Sequence, residues 1–231
     1  MRILGINGSP RGSKSQTLRL LNAVLDGARS AGAEVDYVDV CKLRIEYCNG
    51  CTVCYERGEC VRKDDFSGLY RKMLESDGIV FASPNYINSV TGQIKTLLDR
   101  MADAIHCQMF TGKYGCAVST AGGSGADEVA DYLNSVLQIL GANTVGKVGV
   151  VLGPDPEAII PAERHAYELG KTLAGAILNR TTYPEQEELH AAMTDRMRRL
   201  VIANKDRWHH EYEHWSRIGT VPERLEEGRP E

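Results

Sequence analysis

The sequence predicts a doubly wound α/β fold: one sheet of five parallel strands with helices on both faces. Strand-like and helix-like patterns alternate from residue 2 to about residue 178, and the strand patterns run out into loops rich in glycine, hydroxyls, proline or cysteine. Size agrees, since 231 residues with 42% apolar side chains suit one sizeable core plus a tail. The division expected is a main domain over residues 1–180 and a C-terminal helical extension over 181–231.

Arg2 to Asn7 reads as a buried strand. Gly8-Ser-Pro-Arg-Gly-Ser-Lys-Ser15 follows as a loop, and Leu18, Leu21, Val24, Leu25 and Ala28 then repeat at helical spacing. A helix start carries unpaired N–H groups and a partial positive charge, so an anion can sit there. The loop is not Gly-x-Gly-x-x-Gly. Gly8, Gly12, Lys14 and Ser15 echo a P-loop, but the second glycine falls one residue early, so Gly12 does not adjoin Lys14. Ser9, Ser13, Ser15 and Thr17 supply hydroxyl donors instead, a set suited to a phosphate monoester held without magnesium.

Glu34 to Val40 alternates as a second strand and leads into the cysteine-rich loop. Asp64-Asp65 offers an N-cap to a helix through Leu69, Met73 and Leu74. Asp77 to Ala82 is the third strand; it empties into Ser83-Pro84-Asn85-Tyr86-Ile87-Asn88-Ser89 before a helix marked by Ile94, Leu97, Leu98 and Met101. Asp99-Arg100 on that helix reads as a solvated pair. Tyr114 to Ser119 is the fourth strand, followed by Thr120-Ala121-Gly122-Gly123-Ser124-Gly125 and a helix through Val129, Leu133, Val136, Leu137 and Leu140. Thr144 to Leu152 is the fifth strand, and a helix from about Pro161 to Leu178 completes the pattern. In a sheet ordered 2-1-3-4-5, ligands bind beyond the carboxyl ends of the strands, where the order reverses between strands one and three. Strand two borders strand one, so the cysteine loop borders the anion site.

Cys48, Cys51, Cys54 and Cys60 place four of seven cysteines in one segment at Cys-x2-Cys-x2-Cys-x5-Cys spacing. Close thiols in a chain without signs of export read as metal ligands rather than disulfide partners. Two cysteines two residues apart suit zinc or iron and sulfur; a third at the same interval resembles the compact run that wraps a 4Fe-4S cluster. Structural zinc and unligated thiols are the alternatives. Cys41, Cys107 and Cys116 read as small apolar residues.

A net charge of -4 gives no reason to expect nucleic acid or an anionic membrane as partner. The first residues are too brief and too glycine-broken for a signal peptide, and no apolar run is long enough to span a bilayer, so the cytoplasm is expected.

Gly8-Ser9-Pro10-Arg11 with Ser15 and Thr17 resembles the phosphate loop of the flavodoxin-like NAD(P)H-dependent FMN reductases. Ser83-Pro84-x-Tyr86 resembles that family's flavin-edge loop, and Thr120 to Gly125 its third flavin loop. Cys48, Cys51, Cys54 and Cys60, with the following Lys63-Asp64-Asp65, resemble the iron-sulfur flavoprotein branch. The resemblance covers roughly the first 180 residues. It implies an FMN whose phosphate meets Ser9, Arg11, Ser15 and Thr17, with Pro10, Ser13 and Gln16 in the same loop. The ring would lie between Pro84 to Ser89 and Ala121 to Gly125. Asn85 departs from the small apolar residue often found there, which bears on flavin hydrogen bonding or substrate choice.

The function so implied is that of an iron-sulfur flavoprotein. It would pass electrons from a soluble donor, ferredoxin or NAD(P)H, to a small-molecule or protein acceptor through FMN and one 4Fe-4S cluster, with no side-chain acid or base. The alternatives are an NAD(P)H-dependent FMN or quinone reductase without a cluster, and a non-catalytic redox carrier or sensor. In the tail, Leu189, Met193, Met197, Leu200, Trp208, Tyr212 and Trp215 form an apolar stripe, read as lying across a partner subunit in a homodimer or homotetramer. His209, His210 and His214 read as ordinary tail residues rather than ligands, and Thr220 to Glu231 as a loose end.

Overall fold

Alternate residues of the central strands go to opposite faces of the sheet, and each face has its own core. The computed structural model describes residues 1–153 and 155–219, so the expected loose end over 220–231 lies outside the described residues. β1 (Arg2–Asn7), β3 (Gly78–Pro84) and β4 (Tyr114–Ala121) are buried almost throughout. From them Leu4, Ile6, Ile79, Phe81 and Ala117 join one core; Ile3, Val80, Ala82, Cys116 and Val118 join the other. With β2 (Glu34–Asp39) and β5 (Asn143–Val151) they form an all-parallel sheet in the order β2-β1-β3-β4-β5, as the sequence predicts.

α1 (Gln16–Ser30) and α7 (Ile159–Asn179) cover one face; α3 (Phe66–Glu75), α4 (Gly92–Asp99) and α6 (Ala126–Ile139) cover the other. α1 starts where the Ser15 hydroxyl accepts the Leu18 N–H at 3.0 Å. α1 and α7 cross in backbone contact. A Cβ at Gly27 would stand 1.9 Å from the Tyr167 carbonyl oxygen, and one at Gly170 1.9 Å from that of Val24.

One expectation is refined and one is overturned. Asp65 precedes α3, but the Asp64 carboxylate accepts the Phe66 N–H at 3.1 Å, while Asp65 accepts the Arg44 N–H at 2.8 Å. Arg100 is not solvated: its side chain is 1% exposed and paired with an Asp64 side chain that is 0% exposed, and Asp99 pairs instead with Lys95.

The tail folds back on its own chain as α8 (Pro184–Ala203) and α9 (His209–Arg217). Met197, Val201 and Trp215 are buried there, packed with Met193, Trp208, Tyr212 and Ile105, so these residues of the stripe need no partner to cover them. Leu189 and Leu200 stay partly exposed. The buried Gln186 side chain anchors α8 to the sheet edge, accepting the Thr144 N–H and donating to the Thr144 carbonyl, both at 2.8 Å. A side-chain amide thereby completes the hydrogen bonding of an edge strand. Among the described residues no helix is long and apolar enough to cross a membrane.

Candidate functional site

Three loops meet at the carboxyl ends of β1, β3 and β4 and are stitched together. The Thr17 and Thr120 hydroxyls lie 2.6 Å apart, joining the first loop to the third. The Asn85 N–H donates to the Thr120 carbonyl at 2.8 Å and its side-chain amide to the Ser124 carbonyl at 2.6 Å, joining the second to the third. Thr91, absent from the residues singled out by sequence, donates to the Gly8 carbonyl at 2.8 Å while its N–H reaches the Ser83 hydroxyl at 3.0 Å. No motif distinguishes Thr91 in the sequence beyond its place as the N-cap of α4.

In the first loop Ser9 and Ser15 are buried, whereas Pro10, Arg11 and Ser13 face outward. The Ser9 N–H is held by the Asn7 side chain at 3.2 Å, leaving the buried Ser9 hydroxyl and Asn7 amide nitrogen without partners among the described residues. Gln16 accepts from Arg19 at 2.9 Å. In the second loop Tyr86 and Ser89 exchange backbone hydrogen bonds across a turn whose middle residues, Ile87 and Asn88, have φ of 53° and 56°. Isoleucine is rare in that left-handed region, and Ile87 is 99% exposed. In the third loop Gly122 and Gly123 face open space, where a ligand could approach the backbone closely. The buried Ser119 hydroxyl and the Asn85 side-chain oxygen Oδ1 lack partners among the described residues. Unpartnered buried hydroxyls and amides ringing an open glycine loop fit a phosphorylated, hydrogen-bonding ring system such as FMN.

The cysteine segment leaves β2 and lies against the core face lined by α3 and α4, where Leu43, Ile45 and Cys60 pack. It turns through left-handed residues, Gly50 at φ 67°, Thr52 at 61° and Gly58 at 74°, around the short helix α2 (Val53–Arg57). Cys48 and Cys51 are exposed, Cys54 and Cys60 half-buried. Burial pushes the Cys54 thiol up to about 12, helped by Asp103, Cys60, Glu211 and Cys51, so a metal would have to displace its proton. Among the described residues no three His, Cys, Asp or Glu side chains converge on a single-ion site. The donor chemistry fits a thiolate-held cluster: four cysteines in one segment, and beside Cys60 the buried guanidinium of Arg100.

A wall behind the segment escaped sequence reasoning. α9 brings Trp208 onto the rings of α2 and α5 (Ala102–His106), with Tyr55 4.6 Å from His106 and 4.8 Å from Trp208. His106 stacks on Trp208 at 5.0 Å, and its Nδ1 meets the buried Glu211 carboxylate at 3.0 Å. The Trp215 indole N–H donates to the His106 carbonyl at 3.0 Å. Burial raises Glu211 and lifts Asp103 to about 6; the bond from Tyr70 opposes the latter shift and the charge of Glu211 adds to it. Cys41, Cys107 and Cys116 have thiols raised chiefly by burial, consistent with inert packing. A cavity of about 300 Å³ opens beside Cys54 and Cys60, lined also by Lys63, Tyr70, Arg71 and Asp103.

Residues 1–157 match the family model for NADPH-dependent FMN reductases. An iron-sulfur flavoprotein of Archaeoglobus fulgidus is 34% identical over 232 aligned residues, covering 96% of this chain and all of that protein. The chain belongs to the iron-sulfur flavoproteins of the FMN reductase family. A second relative, an iron-sulfur flavoprotein of Methanosarcina thermophila, is 32% identical over 151 residues, 63% of this chain and 78% of its own. A solved flavone reductase shares the fold with a TM-score of 0.61 at 21% identity, over 79% of this chain and 66% of that one. Membership makes the chain an FMN-dependent oxidoreductase whose cofactor chemistry is flavin and iron-sulfur.

Proposed function

We propose that this chain relays electrons between a soluble donor, ferredoxin or NAD(P)H, and a small-molecule or protein acceptor, using FMN in the three stitched loops and one 4Fe-4S cluster on Cys48, Cys51, Cys54 and Cys60. The observation that carries this is topological. The cysteine segment leaves β2, β2 pairs with β1, and β1 ends in the first of the three loops, so the segment and that loop open from one sheet edge. Bound FMN exchanges electrons singly or in pairs and a bound cluster singly, which supplies the chemistry of a two-to-one electron converter.

The chain's own residues position and insulate. Ser9, Arg11, Ser15 and Thr17 would hold the phosphate at the N-terminus of α1, with Pro10, Ser13 and Gln16 shaping the loop. Ser83 to Ser89 and Thr120 to Gly125 would frame the ring, where backbone N–H groups stabilise charge on its reduced form. Asn85 locks the two ring loops together through Ser124. A cytoplasmic homodimer or homotetramer fits this reading, the exposed Leu189 and Leu200 being available to a second copy.

Anaerobic rapid mixing with NADH, NADPH or reduced ferredoxin, followed by steady-state turnover with a quinone, tests the reading. Reduction of the flavin and the cluster by at least one donor, followed by reoxidation of both by the quinone, is expected. Turnover in which the cluster never changes redox state would favour the cluster-independent reductase instead.

A further inference from the structure

We propose that Arg100 is a positioning residue for Cys60 and raises the reduction potential of the cluster by donating a charge-assisted hydrogen bond to that thiolate; this rests on the reading of Cys60 as a cluster ligand. The guanidinium is fixed from several sides. One terminal nitrogen donates to the Glu46 carbonyl and to Asp64 Oδ2, both at 2.8 Å, and the other to Asp64 Oδ1 at 3.2 Å. Its carbon stands 4.5 Å over the Phe66 ring. Asp64 is itself held by the N–H groups of Glu46 at 2.9 Å and Phe66 at 3.1 Å, so the carboxylate cannot swing away.

What remains is a buried donor in need of an acceptor. Arg100 Nε has no hydrogen-bond partner among the described residues, although the side chain is 1% exposed. Cys60 and Arg100 line the same cavity, close enough for their charges to interact. Buried polar groups in folded proteins are nearly always satisfied. A thiolate sulfur at Cys60 supplies the acceptor that a neutral thiol supplies only weakly. Reduction of the cluster adds one electron and no bond, and part of that charge falls on the ligand sulfurs. A donor aimed at one of them stabilises the reduced state. Since Asp64 cancels much of the arginine charge, the pair works as a set: removing the cation and removing its counter-charge should move the potential in opposite directions.

The test is an EPR-monitored redox titration of the cluster-loaded, FMN-loaded protein and of Arg100→Lys, Arg100→Gln and Asp64→Asn, with iron, sulfide and flavin content measured on each. Lysine keeps the charge but lacks the planar fork that serves Glu46, Asp64 and Cys60 together. Both Arg100 variants are expected to lower the cluster midpoint by a tenfold shift in the reduction equilibrium, about 59 mV for one electron. Asp64→Asn is expected to raise it. A merely structural role would not produce opposite signs. Should Arg100→Gln fail to retain the cluster, Arg100→Lys carries the comparison. A loaded Arg100→Lys protein with the wild-type midpoint overturns this inference alone, whereas a wild-type protein that takes up no iron overturns the cluster reading and this inference with it.

Discussion

The hydroxyls of Thr17 and Thr120, 103 positions apart in the chain, meet at 2.6 Å at the mouth of the site. One belongs to the first turn of α1 and the other to the end of β4, so this bond fixes the spacing between the first and third loops. Thr17→Val leaves the buried Thr120 hydroxyl unpaired, at a cost of about 1–3 kcal/mol. FMN affinity measured by flavin fluorescence should fall about tenfold or more in either single valine variant, with a double-mutant cycle giving clear coupling. Additive effects would show that the bond does not link the loops.

The glycine crossing of α1 and α7 predicts a stability defect remote from the chemistry. Gly170→Ala places a methyl 1.9 Å from the Val24 carbonyl oxygen, which no rotamer change can relieve. A loss of about 1–3 kcal/mol is expected from the overpacking, or a fall in Tm of about 2–4 °C per kcal/mol. Thermal melting of the variant checks this; an unchanged Tm would mean that the helices do not touch there.

Gln186 offers a second stability test. Replacing it with leucine keeps the volume but leaves the Thr144 N–H and carbonyl on β5 without the amide that serves both. Hydrogen exchange at Thr144 should accelerate and α8 should become the first segment to yield to limited proteolysis, with about 1–3 kcal/mol of stability lost. Protection of Thr144 equal to wild type would contradict the anchoring role.

Acid should expose the buried ion pair. Burial works against the Asp64 carboxylate, but the bonds from Arg100 and from the Glu46 and Phe66 N–H groups outweigh it and hold the carboxyl below the usual range. A group with a depressed pKa contributes stability that is present above the ordinary aspartate value of about 3.9 and is lost as the pH falls through its folded value. Asp64→Asn should therefore be destabilised near pH 7, by about 3–5 kcal/mol because Arg100 is left buried and unpaired. Its stability should also fall less steeply than wild type below about pH 4. Parallel acid unfolding curves for the two proteins would refute the assignment.

The strands and the loops that follow them were legible in the sequence because each depends on local pattern, and the order of the strands came with the fold class that their alternation with helices implies. Ile3 to Ile6 and Ile79 to Ala82 are continuous apolar runs, and the loops carry their own turn residues. What was not legible depends on contacts between distant segments. Arg100 follows Asp99 on a helix and reads as exposed until Asp64 is seen beside it, 36 positions away. Likewise Trp208 and Trp215 announce only that something must cover them; that the cover includes Tyr55 and His106 follows from the turn after α8.

The central claim is that FMN and an iron-sulfur cluster share one edge of the sheet, the cluster held by Cys48, Cys51, Cys54 and Cys60. The most direct measurement is the absorption and EPR spectrum of anaerobically prepared protein, set against Cys51→Ala. The account predicts flavin bands over a broad iron-sulfur shoulder in the wild type, a cluster EPR signal on reduction, and selective loss of shoulder and signal in the variant while FMN remains. Flavin bands alone in both proteins would contradict it.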